Sequence, residues 1–310
     1  MMHTLVELLN VTKTFGSKRA VHDLSFTVAR GEIFGLIGPD GAGKTTLLRM
    51  LVTLLRPDHG SILIDGFDTV KDVEYIRAII GYMPQRFSLY PDLSVEQNLR
   101  FFADLFEVPK DLFEQRKERL YAFSRLRPFA SRLAGKLSGG MKQKLALSCT
   151  LVHDPILLVL DEATTGVDPV SRVEFWNILD ELRAEGMSII VSTPYMDEAL
   201  LCDRVIIMHE GSMLRCAKPT ELIAEYPWPV FALEGSDLMM RMPSVESLPG
   251  VRDVQAFGDG LHVTTELDVS VSDIEHALSR IPGDSVNIRS IQPSFEDVFI
   301  AHVYERLHHD

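Results

Sequence analysis

With 310 residues, 46% of them hydrophobic and 24% charged, the chain can form one large domain and a smaller one, each with its own core. No uninterrupted apolar segment reaches the roughly 20 residues that cross a bilayer. Met1 to Glu7 lacks the basic region and apolar core of a secretory leader, and Cys149, Cys202 and Cys216 are too few and too irregular for a disulfide framework or zinc site, so a cytosolic protein with reduced thiols is expected. The net charge of −13 resides mainly in residues 225–310, where five Lys/Arg face 15 Asp/Glu; no nucleic-acid partner is expected, because neutralising phosphates requires clustered cations.

In chain order, Leu5–Val11, Leu24–Val28 and Ile33–Ile37 read as strands, the last preceded by the turn Arg30-Gly31-Glu32. Gly38-Pro39-Asp40-Gly41-Ala42-Gly43-Lys44-Thr45 follows, then Thr46 and a helical pattern from Leu47. Strand, glycine loop and helix together form a phosphate cradle: the glycines let backbone amides turn inward, the helix directs its positive end at the anion, Lys44 adds charge and the Thr45 hydroxyl suits magnesium. Ser61–Ile64 is a further strand of this β-rich lobe. From Ser94 the pattern turns helical, with Ser94 and Gln97 spaced as a capping box and Leu112–Leu126 forming a second helix.

Leu137-Ser138-Gly139-Gly140 opens another helix, Met141–Val152, either as a plain cap or as a second set of free amides for a phosphate. Ile156–Leu160 has the length and continuous apolarity of a strand buried on both faces, and it ends in two acids, Asp161 and Glu162. Alternation points them different ways, which suits one to a metal and the other to a water. Ser188–Val191 and Val205–Met208 are similar strands, with helices Val170–Glu185 and Tyr195–Leu201 between, so the first domain, residues 1–226, is α/β. Pro227 and Pro229 mark the boundary. In residues 227–310, strands at Val230–Leu233, Val251–Phe257, Leu261–Thr265 and Val286–Ile291, with helices at Ser272–Ile281 and Phe295–Leu307, predict a small α+β domain. His308-His309-Asp310 reads as a polar tail rather than a metal site.

The phosphate loop, Leu137-Ser138-Gly139-Gly140 and Leu160-Asp161-Glu162 taken together resemble the nucleotide-binding subunits of ABC transporters, over residues 4–225. The resemblance implies a P-loop NTPase cassette with a β-rich lobe and helical insert that binds ATP and Mg2+ and hydrolyses ATP. Gly38, Asp40, Gly41, Ala42, Gly43, Lys44, Thr45 and Thr46 would hold the phosphates, and Phe15 would stack on adenine unless it is a core aromatic. Thr45, Gln85 and Asp161 would ligate Mg2+, while Glu162, with Gln85, would act on the attacking water. Ser138, Gly139, Gly140 and Asp168 would reach the ATP of a facing subunit, Asp168 doubling as a helix cap before Pro169.

Two residues depart from the family pattern. Asp40 stands where many relatives have Asn and is expected to point away from the phosphates. Pro194, in Ser192-Thr193-Pro194-Tyr195, occupies the position of the switch histidine and cannot donate its hydrogen bond. The resemblance further implies a second nucleotide-binding subunit, identical or different, and a separate membrane permease that holds the cassette at the cytoplasmic face. Pro293-Ser294-Phe295-Glu296-Asp297-Val298-Phe299 resembles the C-terminal segment of drug- and antibiotic-exporter ATPases of the daunorubicin-type branch. The alternatives are a regulatory subunit with weak turnover, because of Pro194, and a cassette ATPase unconnected with transport.

Overall fold

The computed structural model describes residues 3–86, 89–279 and 285–309. They form two compact units that divide between Lys218 and Pro219, ahead of the boundary expected after residue 226. The position of this division has a plain cause: the helix Pro219–Ala224 packs with the final helix, Phe295–His309, and the Tyr226 hydroxyl lies 3.3 Å from that of Thr264.

In the first unit, two 12-residue strands, Thr4–Phe15 and Lys18–Ala29, make a long antiparallel hairpin flanked by His59–Ile64 and Phe67–Asp68. The second strand begins earlier than its apolar pattern indicates because Asn10 and Asp23, both at φ 50°, bulge the hairpin and interrupt the alternation. The second sheet has six strands, in the order Ser212–Ala217, Arg204–His209, Ile33–Ile37, Ser188–Thr193, Leu157–Asp161 and Ile80–Met83, all parallel except the first. Three of these strands are buried along their whole length, as continuous apolar runs require.

The helix Lys44–Leu51 lies within a core shared by both sheets, with Leu47, Leu48, Met50 and Leu51 fully buried among Leu5, Val28, Leu36, Val159 and Ile206. Each such side chain contributes roughly 2 kcal/mol. The helical insert comprises Val95–Leu105 and Lys110–Ser124, and Ser94 and Gln97 form the expected reciprocal capping box. Among the described residues no helix is long and apolar enough to cross a membrane.

Between the helices Pro219–Ala224 and Phe295–His309, the second unit runs strand, helix, strand, strand, helix, strand. Its sheet order is Val251–Phe257, Gly260–Thr265, Val230–Glu234 and Asn287–Ile291, antiparallel throughout, which is the ferredoxin-like arrangement. The helix Leu238–Glu246 carries Pro243 inside it, so its pattern did not stand out in the sequence. With Val271–Leu278 it packs on one sheet face over Phe231, Leu233 and Val263. The end of the expected helix at Arg280 and Ile281 lies outside the described residues, as do Asp310 and the side chains of His308 and His309.

The final helix begins with a capping box: the Ser294 amide and hydroxyl both donate to Asp297 Oδ2 at 2.7 Å, and the Asp297 amide donates back to Ser294 Oγ. Asp297 also faces His262 Nδ1 of the sheet at 3.2 Å.

Candidate functional site

The parallel strands present their C-terminal ends together, Ile37 opposite Thr193 and Asp161 opposite Ser192, where open α/β sheets bind ligands. The chain leaves Ile37 through the glycine loop and re-enters helix at Lys44. Gly43 adopts φ 102°, and a methyl group there would collide with the Ala20 carbonyl, so both conformation and space demand glycine. Ala42 is buried, Thr45 and Thr46 are half-buried, and Pro39, Asp40 and Gly41 are exposed beside a cleft of about 420 Å3 whose other walls include Lys18, Arg19 and His209.

Lys44 is 3% exposed. Its ammonium donates to the Gly38 carbonyl at 2.7 Å and the Pro39 carbonyl at 3.1 Å, and lies 3.5 Å from Glu162 Oε1. The Glu162 Oε2 accepts from Gln85 Nε2 at 2.8 Å, so three residues expected from separate motifs meet at one carboxylate. The strand itself ends at Asp161. Glu162 has φ 50°, a left-handed conformation that costs a β-carbon on the order of 1–2 kcal/mol and turns its side chain away from that of Asp161. Two bonds from its amide to Ser192, at 3.0 and 3.1 Å, hold this geometry.

Asp161 is buried and accepts at one oxygen from both Thr45 Oγ1 (3.0 Å) and Ser192 Oγ (2.9 Å). A buried carboxylate beside a hydroxyl supplies the hard oxygen donors that Mg2+ prefers, so Asp161 and Thr45 fit the metal. Ser192 was not foreseen; a hydroxyl at the end of a parallel strand next to the phosphate loop was the available signal. Nearby, burial and the Asp161 charge push the Tyr82 phenol up to about 12.

Ser138 caps the helix Gly139–Leu151, its Oγ accepting from the Met141 amide at 3.3 Å, and is exposed together with Gly139. Gly140 is buried against Ser171, where a methyl group would not fit. Asp168 caps the helix Pro169–Ala184 by accepting from the Ser171 amide at 3.0 Å, a bond that holds its carboxyl below the usual range. Phe15 is 49% exposed with Lys13 Nζ 5.6 Å from its ring centre, so it is not a core aromatic. Asp40 is exposed. Pro194 is half-buried in the bend after Thr193. Among the described residues no group of three His, Cys, Asp or Glu has metal-site geometry.

The family model described as ABC transporter matches residues 21–165. The probable multidrug ABC transporter ATP-binding protein YbhF of Escherichia coli is 44% identical over 306 residues, which are 97% of this chain and 52% of that protein. The Nod factor export ATP-binding protein I of Bradyrhizobium diazoefficiens is 36% identical over 304 residues, which are 97% of this chain and 96% of that protein. The chain belongs to the ABC transporter ATP-binding family.

It spans about half the length of YbhF and nearly all of the Nod factor export protein. Among solved structures, an ATP-binding subunit of an ABC transporter matches with a TM-score of 0.65 and 29% identity, covering 71% of this chain and 92% of that one. The dimeric structure of a post-hydrolysis state of the cassette MJ0796 bound to ADP and Pi matches with a TM-score of 0.63 and 26% identity, covering 69% of this chain and 98% of that one. The first unit is thus an ATP-binding cassette.

Proposed function

We propose that the chain is the ATP-hydrolysing subunit of an exporter, working as a dimer of cassettes on a separate membrane permease at the cytoplasmic face. The observation that carries this reading is the meeting of Lys44, Gln85 and Glu162 next to Asp161 and Thr45. Lys44 and the backbone amides of Gly38 and of residues 40–46 hold the β- and γ-phosphates, while Phe15 offers its exposed ring to adenine. Asp161, Thr45 and Gln85 hold Mg2+, which supplies charge neutralisation on the phosphates when bound. Glu162 takes the proton of the attacking water, and Gln85 orients that water and the carboxylate together.

Ser138, Gly139, Gly140 and Asp168 serve the nucleotide of the facing cassette. The exposure of Ser138, Gly139 and Asp168, each at a helix start, supports this role. Gln85 also lines a cleft of about 430 Å3 with Arg86, Gly139 and Lys142, so a permease element seated there would lie one hydrogen bond from Glu162. Export is the direction named for the Nod factor relative, which this chain matches over nearly its whole length. The deciding experiment is Glu162→Gln. It should leave ATP affinity within about twofold, lower hydrolysis on the order of a hundredfold or more, and trap an ATP-bound dimer. Parent-like hydrolysis by this variant would remove Glu162 from its role.

A second reading rests on Pro194, which presents no donor where the switch histidine would stand: a nucleotide-holding subunit with weak turnover that pairs with a different, competent cassette. Phosphate release by the purified chain, alone and with a permease in membranes, separates the two readings.

A further inference from the structure

Asp161 and Ser192 pair across two adjacent parallel strands, but beyond them the backbones part, one continuing through Glu162 to Asp168 and the other through Pro194 to the short helix Met196–Ala199. A buried carboxylate rejoins them. Glu198, 2% exposed, accepts from Thr164 Oγ1 at 3.0 Å, from Thr193 Oγ1 at 2.5 Å and from Arg172 Nε at 3.1 Å.

The three donors come from three segments: the turn two residues after Glu162, the strand end just before Pro194, and the helix capped by Asp168. Arg172 supplies the countercharge. Its Nη2 donates to both oxygens of Asp197, at 3.1 and 2.9 Å, and its guanidinium lies 4.0 Å from the Tyr195 ring centre. Thr193 Oγ1 also accepts from the Tyr195 amide at 3.0 Å, closing the loop around Pro194. Apolar residues would fill this space with no ion to desolvate, so a satisfied buried ion among three segments supplies directed geometry rather than packing.

We propose that Glu198 is a positioning residue for hydrolysis: through Thr164, Thr193 and Arg172 it holds the segment after Glu162, the Pro194 loop and the Asp168-capped helix in one arrangement. Where a switch histidine would tie its loop to the γ-phosphate, this chain ties the loop to itself. The inference rests on the ATPase reading, so the test separates the two. ATP affinity, kcat and KM are measured for the parent, Glu198→Gln, Thr164→Val and Thr164→Ser, and ATP-driven dimerisation is measured for each change combined with Glu162→Gln.

Glu198→Gln places amide hydrogens opposite donors and should lower kcat about tenfold and weaken dimerisation similarly, with ATP affinity and KM within about twofold. Thr164→Val keeps shape, loses the donor and should lower kcat about threefold, and Thr164→Ser should restore it. This pair decides the matter if Glu198→Gln does not fold. Parent-like kcat and dimerisation in Glu198→Gln or Thr164→Val would overturn the proposal, as would a fall in ATP affinity that parallels kcat. A parent that binds ATP without hydrolysing it would instead defeat the ATPase reading, and dimerisation would still judge Glu198.

Discussion

In the cassette, the polar groups expected to meet ATP crowd one end of a sheet at some cost to the fold: Lys44 is buried against Glu162, and Glu162 sits in a left-handed conformation. In the second unit, the buried acid Asp297 caps its own helix and faces His262, a purely internal arrangement. Polar burial in the first unit therefore points toward a ligand, and in the second toward stability. Substitutions should accordingly split, with cassette changes moving nucleotide chemistry and second-unit changes moving only unfolding.

The largest effect expected is from Lys44→Ala. It removes the buried cation nearest the phosphates and should weaken ATP binding on the order of a hundredfold, measured by calorimetric titration, while both units stay folded. Retained affinity would break the comparison on its cassette side. Pro194→His should raise phosphate release about tenfold at saturating ATP and Mg2+, because a single well-placed donor to developing charge is worth about 3–4 kcal/mol and only part of that need be recovered. Equal rates would show that another step limits turnover.

Asp297→Ala should destabilise the second unit by roughly 2 kcal/mol through loss of the cap and the His262 partner, with ATP affinity unchanged. The chain has two tryptophans, Trp176 in the first unit and Trp228 in the second, so denaturation of single-Trp variants reads each unit separately. An equal shift at Trp176 would sink the expectation.

The smallest effect concerns pH. His153 is stacked 3.9 Å from Phe106 and bonded at 2.9 Å to the Ile80 carbonyl, and burial pushes its pKa down. The folded cassette thus binds that proton less tightly than the unfolded chain. Stability is full above the ordinary histidine value of about 6.5 and declines as pH falls below it toward the lowered folded value. Between pH 7.5 and 5.5 the parent should therefore lose more in melting temperature than His153→Gln, as thermal denaturation at the two pH values would show.

Phosphate chemistry made much of the cassette readable, because a triphosphate requires glycines, a lysine, hydroxyls and acids at fixed spacings on adjacent elements. The Glu198 network was unreadable, since Thr164, Arg172 and Thr193 approach only when three segments fold together. Within Tyr195-Met196-Asp197-Glu198-Ala199, Glu198 resembles any solvated acid, and its place beside the buried Ala199 was the only hint. The strands Ile80–Met83 and Ser212–Ala217 were missed because they lie at the sheet edges, where the apolar runs are short or half-exposed. In the second unit periodicity gave strands and helices, but no local pattern encodes a ferredoxin-like strand order.

The contact of Gly140 with Ser171 has a mechanical consequence. Ser171 is also the residue whose amide anchors Asp168, so the helix start bearing Ser138 and the one bearing Asp168 share a single mount. The two exposed groups resemble teeth cut on one key blade: a partner surface that accepts one must accept the other at the same pitch. If Ser138 and Asp168 serve a facing cassette as proposed, a methyl group at position 140 would pry the mount apart and misalign both at once, while the cluster from Lys44 to Glu162 kept its own contacts.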